Sequence, residues 1–443
     1  MRKGMLLGAP WWLWAAALAP RLGLWLLAAG DPARFVPIDG VGYLALAGNM
    51  LDHGVFSTGP EPFVPNTFRT PGYPLFLAPF VALFDAPVLP AALAQCLIGA
   101  ATAVLLWRWL EPRWGRLAAA VGALAVALDL VTIFHTPMLL SETVFVFLVV
   151  AAFVRTWDQI ERPGLKGAAL CGLLWGVGAL VRPLSFHLPV ALVWVWRRDR
   201  KAAACFLLAA YLLPGAWMAR NFRATGVSAF SGVGGVAMLS YMAAGIESLR
   251  LGGTVKERDL ELQAVADAEH PGGYASDAER SQVYGRVGAR VIGAHPFLLV
   301  RYCSWGLLKT LAGTGLEMLP QWAGRPEGID AEYRVKASGR GTVALLRRYP
   351  WLIPLQLGYM AALAALYLLC AAGLLRFWRE RRRAEAAFLG LILGYFLAFS
   401  SSQGYYRYRI PCVPLLAVGA AAAVAARRFD TIEKDGIQEN RGS

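Results

Sequence analysis

The chain has 443 residues, of which 57% are hydrophobic and 16% charged, with a mean hydropathy of +0.48. This composition excludes a soluble globular protein, which carries more charge and less apolar sequence, and it indicates many membrane-spanning helices. The net charge of +14 does not indicate nucleic-acid binding, because the arginines lie in short clusters between apolar runs, as the positive-inside rule describes.

Ten apolar runs approach the roughly 20 residues that cross a bilayer. In chain order, we predict spans at 5–29, 88–110, 116–134, 139–156, 166–182, 184–197, 202–219, 351–376, 385–402 and 409–427. The first is interpreted as an uncleaved helix rather than a signal peptide, because its apolar stretch is long and further spans follow. The run 296–313 is also apolar, and we predict a juxtamembrane or re-entrant helix there; a crossing with an unrecognised partner would give twelve spans.

Basic clusters decide the orientation. "RWLEPRWGR" (108–116), "RRDRK" (197–201) and "RFWRERRR" (376–383) fill short loops between spans. With an even number of spans, all three clusters lie on the side of the N-terminus. Both termini are therefore predicted to be cytoplasmic.

One transmembrane domain (1–443) is expected, because no break in composition divides the chain. It carries two large extracytoplasmic loops, 30–87 and 220–350, and a short cytoplasmic tail, 428–443. No internal repeat is evident.

Ionisable residues gather at the predicted outer ends of the spans. They are Arg21, Asp39, Arg69, Glu142, Arg182, Arg220, Arg407 and Arg409. Ionisable groups at membrane depth are costly and indicate functional sites. Guanidinium groups match the oxygens of a phosphate, so the pattern predicts a phosphate-bearing ligand at the level of the lipid headgroups.

Several of these residues also have a structural interpretation. Asp39 would be the N-cap of a predicted helix 40–53, which Gly54 would close at its C-terminal end. Arg69 would anchor a loop at the membrane interface. Arg182 would be an ordinary cation at a helix end.

The order of the motifs resembles the bacterial GT-C glycosyltransferases, and among them the protein mannosyltransferase and aminoarabinose transferase group. The motifs are Asp39 with a tyrosine four residues later, "FRTPGYPLF" (68–76), "SE" (141–142), "RP" (182–183), "ARN" (219–221) and "RYRIPCVP" (407–414). The resemblance implies an all-α polytopic GT-C scaffold with juxtamembrane helices in its outer loops. It also implies a sugar donor linked to a polyprenyl phosphate, such as undecaprenyl phosphate.

The resemblance further implies roles for individual residues. Asp39 would be catalytic, Arg69 would bind the donor phosphate, and Glu142 would lie near the sugar or the acceptor. Arg407 and Arg409 would lie near the lipid phosphate. We add Arg21 to the candidate phosphate ligands, and Tyr43, Tyr73 and Arg182 to the candidate sugar or acceptor contacts.

The expected function is transfer of the sugar to a hydroxyl of a lipid, glycan or protein on the outer face of the bacterial inner membrane. The expected chemistry is a single inverting displacement. No obligate cofactor is expected, since the cysteines and histidines form no metal-binding motif and a divalent metal is not indicated.

Two departures leave the acceptor open. Gly40 follows Asp39 where protein O-mannosyltransferases carry a second acid, and Arg69 stands where the aminoarabinose branch usually has lysine.

Other classes of membrane protein remain as alternatives. They are a transporter or lipid-linked-glycan flippase, a polysaccharide ligase with a diphosphate-linked donor, and a non-catalytic lipid-binding scaffold. A transporter predicts repeated halves and charges at the centres of spans. Here the charges gather at one face, which favours the glycosyltransferase.

The predicted orientation has a direct test. A cysteine introduced at Gly59, in a background without the native cysteines, is expected to react with a membrane-impermeant thiol reagent in intact spheroplasts, because loop 30–87 is predicted to face outward. Labelling that occurs only after lysis would contradict this orientation.

Overall fold

A computed structural model describes residues 8–324 and 340–425. Within these ranges the regular structure is helical and contains no strand, so the predicted all-α polytopic class is confirmed. The predicted tail 428–443 and the last residues of the predicted span 409–427 lie outside the described residues.

The chain up to residue 225 forms the helices that carry most of the predicted spans. They are α1 (Trp11–Ala28), α2 (Ile38–Asp52), α3 (Gly72–Leu83), α4 (Val88–Trp114), α5 (Arg116–Ala127), α6 (Leu130–His135), α7 (Glu142–Glu161), α8 (Leu165–Val181), α9 (Leu188–Leu192) and α10 (Arg200–Thr225).

The remainder contains ten further helices of the described residues. They are α11 (Val233–Val236), α12 (Ala244–Leu251), α13 (Val255–Ala268), α14 (Asp277–Ala294), α15 (Pro296–Ala312), α16 (Leu319–Trp322), α17 (Arg340–Arg348), α18 (Ile353–Arg379), α19 (Arg383–Ser401) and α20 (Val413–Ala423). A π-helical turn, Ala237–Ala243, joins α11 to α12.

Six helices of the described chain are long and apolar enough to cross a membrane, and a seventh span results if a bent pair is counted. The six are α1, α4, α7, α10, α18 with the turn before it, and α19. Each coincides with a predicted span, so the chain is a multi-pass membrane protein. The bent pair is α14 and α15, whose axes differ by 102°; this sharp bend agrees with a re-entrant or juxtamembrane segment rather than one straight span.

The other four predicted spans are shorter or interrupted helices. The predicted span 116–134 breaks after α5, where the Asp129 side chain accepts the N–H of Thr132 at 2.8 Å and starts α6 as a new helix. The predicted span 184–197 consists of α9 between two short 3₁₀ turns. Helix α8 has 17 residues, fewer than the roughly 20 of a typical span.

The two ends of α7 show which charged groups share a side. Glu142 begins this helix and Glu161 ends it, so the two lie about 30 Å apart at 1.5 Å per residue. Two of the basic clusters, 108–116 and 376–383, meet at the Glu161 end, where Arg382 lies 3.3 Å from Glu161 and Arg113 lies 2.5 Å from Asp158. The predicted grouping of these clusters on one side, away from Glu142, agrees with this geometry.

Aromatic packing fixes the same end of the bundle. Trp157 of α7 is fully buried, and its ring lies 5.3 Å from Trp109, 5.6 Å from Phe377 and 6.0 Å from Phe388. These contacts hold α4, α7, α18 and α19 together.

Helices α8 and α10 pack closely through the two glycines of the motif "GLLWG" (172–176). Gly172 and Gly176 of α8 face α10, where an added Cβ would overlap the carbonyl oxygens of Phe206 and Ala210. Only glycine therefore lets the two backbones approach this closely, and α8 thereby delivers Arg182 to the Glu142 end of the bundle.

Candidate active site

Five charged side chains form a continuous series of ion pairs, which we call the ion chain: Arg69, Asp39, Arg407, Glu142 and Arg182. Arg69 Nη2 lies 2.5 Å from Asp39 Oδ1, and Arg407 Nη2 lies 3.3 Å from Asp39 Oδ2. Arg407 Nε and Arg182 Nη1 both lie 2.5 Å from Glu142 Oε1. Cations and anions alternate along the series, so each carboxylate lies between two guanidinium groups.

The ion chain runs from the protein surface into the interior. The side chain of Asp39 is 32% exposed and that of Glu142 is 1% exposed. A ligand can therefore reach Asp39 and Arg69, whereas Glu142 is enclosed by the two arginines that it pairs with.

Asp39 does not cap its helix. Helix α2 begins at Ile38, the residue at its N-cap position is Pro37, and no side chain makes a cap hydrogen bond. The interpretation of Asp39 as the N-cap of helix 40–53 is therefore wrong: the helix starts two residues earlier, and the carboxylate turns to Arg69 and Arg407 instead. The closing role of Gly54 is confirmed by its φ of 66°.

Gly40 sets the distance between Asp39 and Glu142. A Cβ at position 40 would lie 2.9 Å from the carbonyl oxygen of Leu139, in the segment that leads into α7. The N–H of Leu139 donates to the carbonyl of Phe35 at 2.7 Å. The segments preceding α2 and α7 are therefore in direct backbone contact, which leaves no room for a larger side chain at position 40.

Tyr43 holds Arg69 from one side. Its hydroxyl accepts a hydrogen bond from Arg69 Nη1 at 3.2 Å, and the guanidinium carbon lies 4.9 Å from the centre of its ring. A second cation–π contact places Arg69 5.1 Å from the ring of Phe68. The guanidinium thereby keeps a fixed orientation toward Asp39.

Tyr73 and Gln95 form a buried hydrogen-bonded pair that packs against Tyr43. Tyr73 is fully buried against Tyr43, and its hydroxyl donates to Gln95 Oε1 at 2.7 Å. Gln95 in turn donates to the carbonyls of Thr136 and Met138 at 3.0 and 2.5 Å. Sequence reasoning missed Gln95; a buried amide in the middle of the apolar helix α4 is the signal that could have found it.

The charges of the ion chain set the ionisation of Asp39. Burial raises the pKa of its carboxyl, but Arg407 and Arg69 outweigh this effect and leave the pKa below its ordinary value. Asp39 is therefore ionised at neutral pH, as a general base must be.

Two of the predicted phosphate ligands lie elsewhere. Arg409 is fully buried, and its Nη1 donates to the carbonyls of Thr310, Leu311 and Gly313 at 2.8 to 3.1 Å. Arg21 is also fully buried, and it donates to the carbonyls of Ala17, Val126 and Ala127. Both guanidinium groups join segments of backbone, and neither is part of the ion chain.

A match to a protein family agrees with the predicted resemblance. Residues 68–214, a third of the chain, match the model of the family described as dolichyl-phosphate-mannose-protein mannosyltransferase. The matched segment contains Arg69, Glu142 and Arg182, and it excludes Asp39 and Arg407. The resemblance is thereby confirmed, and the match supports a membrane glycosyltransferase of the GT-C type; it specifies neither donor nor acceptor.

One solved structure is also similar in outline. It is ArnT from Cupriavidus metallidurans in the apo state, with 13% identity, a TM-score of 0.36, and coverage of 93% of this chain and 77% of that chain. A TM-score this low gives the likeness no further weight. None of the curated proteins compared by sequence matches the chain.

The close approach at Gly40 yields a test. Gly40→Ala is expected to lower the free energy of unfolding by about 1–3 kcal/mol and to reduce activity, because the new methyl group must push α2, and Asp39 with it, away from Leu139. Gly42→Ala is the matched control, since an added Cβ there has nothing within 4 Å. Thermal unfolding and turnover of the two variants are compared; equal behaviour would contradict the role of Gly40.

Proposed function

We propose that the protein transfers a sugar from a polyprenyl-monophosphate donor to a hydroxyl acceptor, with Asp39 as general base and Arg69 and Arg407 as ligands of the donor phosphate. The reaction would take place on the extracytoplasmic face of the bacterial inner membrane. The observation that carries the proposal is the placement of two guanidinium groups on opposite oxygens of one accessible carboxylate.

The charge of the ion chain favours a donor with one phosphate. Three arginines and two carboxylates leave an excess of one positive charge. A sugar linked through a single phosphate is a phosphodiester with one negative charge, and it would neutralise this excess. A diphosphate-linked donor would leave negative charge unpaired in a partly buried site, which is costly.

The same arginines would stabilise negative charge first on Asp39 and then on the leaving phosphate. The acceptor oxygen attacks the anomeric carbon and its proton passes to Asp39, while the bond from that carbon to the phosphate oxygen breaks. Asp39 loses one negative charge, and the departing polyprenyl phosphate gains one. Arg69 and Arg407 contact Asp39 at the start, so they are already placed to stabilise the charge that develops on the leaving group.

Binding of the donor would also make Asp39 a stronger base. In the free protein both of its oxygens are engaged by arginines. A phosphate that takes over these hydrogen bonds would draw the cations away from the carboxylate, and its own negative charge would favour the protonated form of Asp39. The base would thus gain proton affinity only when the donor is present.

The remaining predicted contacts take supporting roles in this proposal. Tyr43 would orient Arg69, and Tyr73 would act through Gln95, because it is buried too deeply to touch a substrate. Glu142 would hold Arg407 and Arg182 in place. We do not include Arg409 or Arg21 among the phosphate ligands, since backbone carbonyls already engage them.

Donor preference and the role of Asp39 are tested in one assay. The purified protein in detergent is expected to hydrolyse or transfer sugar from radiolabelled polyprenyl-monophosphate sugars and not from diphosphate-linked ones. Asp39→Asn is expected to lower turnover by at least about 100-fold and to lower thermal stability, because Arg69 and Arg407 lose a carboxylate partner; the helix itself is unaffected, since Asp39 makes no cap bond. Asp52→Asn, exposed at the other end of α2, is the control.

Three results would contradict this proposal. Activity restricted to diphosphate-linked donors would favour the ligase alternative, and binding of the donor without any transfer or hydrolysis would favour a transporter. A fully active Asp39→Asn variant would remove Asp39 as the general base.

The pH dependence gives a separate test. On the acidic side of the pH profile, the midpoint of kcat reports the pKa of the base in the enzyme–substrate complex. The corresponding midpoint of kcat/KM reports its pKa in the free enzyme. Arginines lower the pKa of Asp39 in the free protein, and the donor would compete for these arginines. The acidic midpoint of kcat is therefore expected at a higher pH than that of kcat/KM. If the two midpoints coincide or lie in the opposite order, the donor does not compete with Asp39 for the arginine hydrogen bonds.

A further inference from the structure

Hydrogen bonds from within the first loop and from residues after 219 fix the backbone that carries Arg69. We call residues 66–69 the Arg69 segment. Within it, Asn66 Oδ1 accepts the N–H of Arg69 at 2.9 Å, and the N–H of Asn66 donates to the carbonyl of Phe56 at 2.8 Å. The position of the Arg69 side chain therefore depends on where Asn66 is held.

Arg220, near the end of α10, holds Asn66. Its Nη1 donates to the carbonyl of Asn66 at 3.1 Å, and its Nη2 lies 3.4 Å from the carbonyl of Phe56. The guanidinium also lies over the rings of Trp217 and Phe56, at 4.9 and 5.5 Å from their centres. One planar group thus bridges the two ends of the turn that precedes Arg69.

The second predicted outer loop contacts the next two carbonyls of the Arg69 segment. Ser231 Oγ donates to the carbonyl of Phe68 at 2.6 Å, and the N–H of Gly232 donates to the carbonyl of Thr67 at 2.9 Å. Thr67 Oγ1 accepts the N–H of Ala278 at 2.9 Å, in the first turn of α14. Three consecutive carbonyls, at positions 66, 67 and 68, therefore accept hydrogen bonds from residues after 219.

We propose that Arg220 is a positioning residue for donor binding: it fixes the Arg69 segment so that the Arg69 guanidinium meets the donor phosphate. This inference rests on the proposed function of Arg69. The guanidinium of Arg220 donates to two backbone carbonyls and to Asn221 Oδ1, and not to a carboxylate. Its planar shape is therefore required as well as its charge, and lysine could not replace it.

Variants of Arg220 separate positioning from charge. Arg220→Ala and Arg220→Lys are both expected to raise the KM for a polyprenyl-monophosphate sugar by about tenfold or more, with a smaller change in kcat. Arg223→Ala is the matched control, because Arg223 is exposed in the last turn of the same helix. A normal KM in Arg220→Lys would show that only the charge matters and would overturn the proposal.

A double-mutant comparison tests whether Arg220 acts through Arg69. If it does, Arg220→Ala should weaken donor use strongly in the wild-type background and add little in an Arg69→Ala background. Fully additive losses would contradict the proposal. Ser231→Ala, which removes one hydrogen bond to the same segment, is expected to show the same pattern with a smaller loss, and it provides the comparison if Arg220→Ala fails to fold.

Hydrogen exchange keeps the two proposals distinguishable, since it needs no substrate. Peptides that cover residues 66–69 are expected to exchange faster in Arg220→Ala than in the wild-type protein or in Arg223→Ala. Unchanged exchange would overturn the positioning role even in an active enzyme. If the wild-type protein does not use the donor but exchange rises in Arg220→Ala, the proposed function fails while the hold of Arg220 on the segment stands.

Discussion

Arg407 lies between two carboxylates, Glu142 and Asp39, and through it the enclosed half of the ion chain joins the accessible half. A carboxylate as buried as Glu142 is stable only when cations and hydrogen bonds compensate the loss of water. Arg407 and Arg182 supply that compensation from elements distant in sequence. The bundle must therefore bring the ends of α7 and α8 and the segment before α20 together for the charges to be tolerated at all.

This constraint explains how a small number of contacts orders a reactive site. Because Glu142 holds Arg407 by its Nε atom, the outer edge of that guanidinium faces Asp39. Arg69 approaches the same carboxylate from the opposite side. The fixed half of the ion chain thus presents a carboxylate and two cations in a partly exposed position. In the proposed reaction, a phosphate would exchange with Asp39 for the arginine donors there without unpairing Glu142.

The two large loops also depend on each other. The first carries Asp39 and Arg69, yet the backbone around Arg69 is held largely by Arg220, Ser231 and the start of α14. The match to the mannosyltransferase family covers only residues 68–214. Asp39 and Arg407, the two residues that complete the exposed half of the ion chain, come from outside that segment, so the site is a property of the whole chain.

The amino-acid sequence by itself determined the membrane class, six of the spans and the gathering of charges at one side, because these follow from runs of apolar residues and from local clusters of arginine. It also indicated Asp39, Arg69, Glu142 and Arg407 as residues of one site. The number of spans was less predictable, since a capping residue such as Asp129 ends a helix inside an apolar run.

Only the tertiary structure decided which charges meet. Arg407 and Arg409 are two residues apart and look equivalent in the sequence, yet one joins the ion chain and the other binds the carbonyls of residues 310–313. Asp39 looks like a helix cap until the start of α2 is seen to precede it. Pairings of this kind join residues up to 368 positions apart, and local pattern carries no information about them because they depend on how the helices pack.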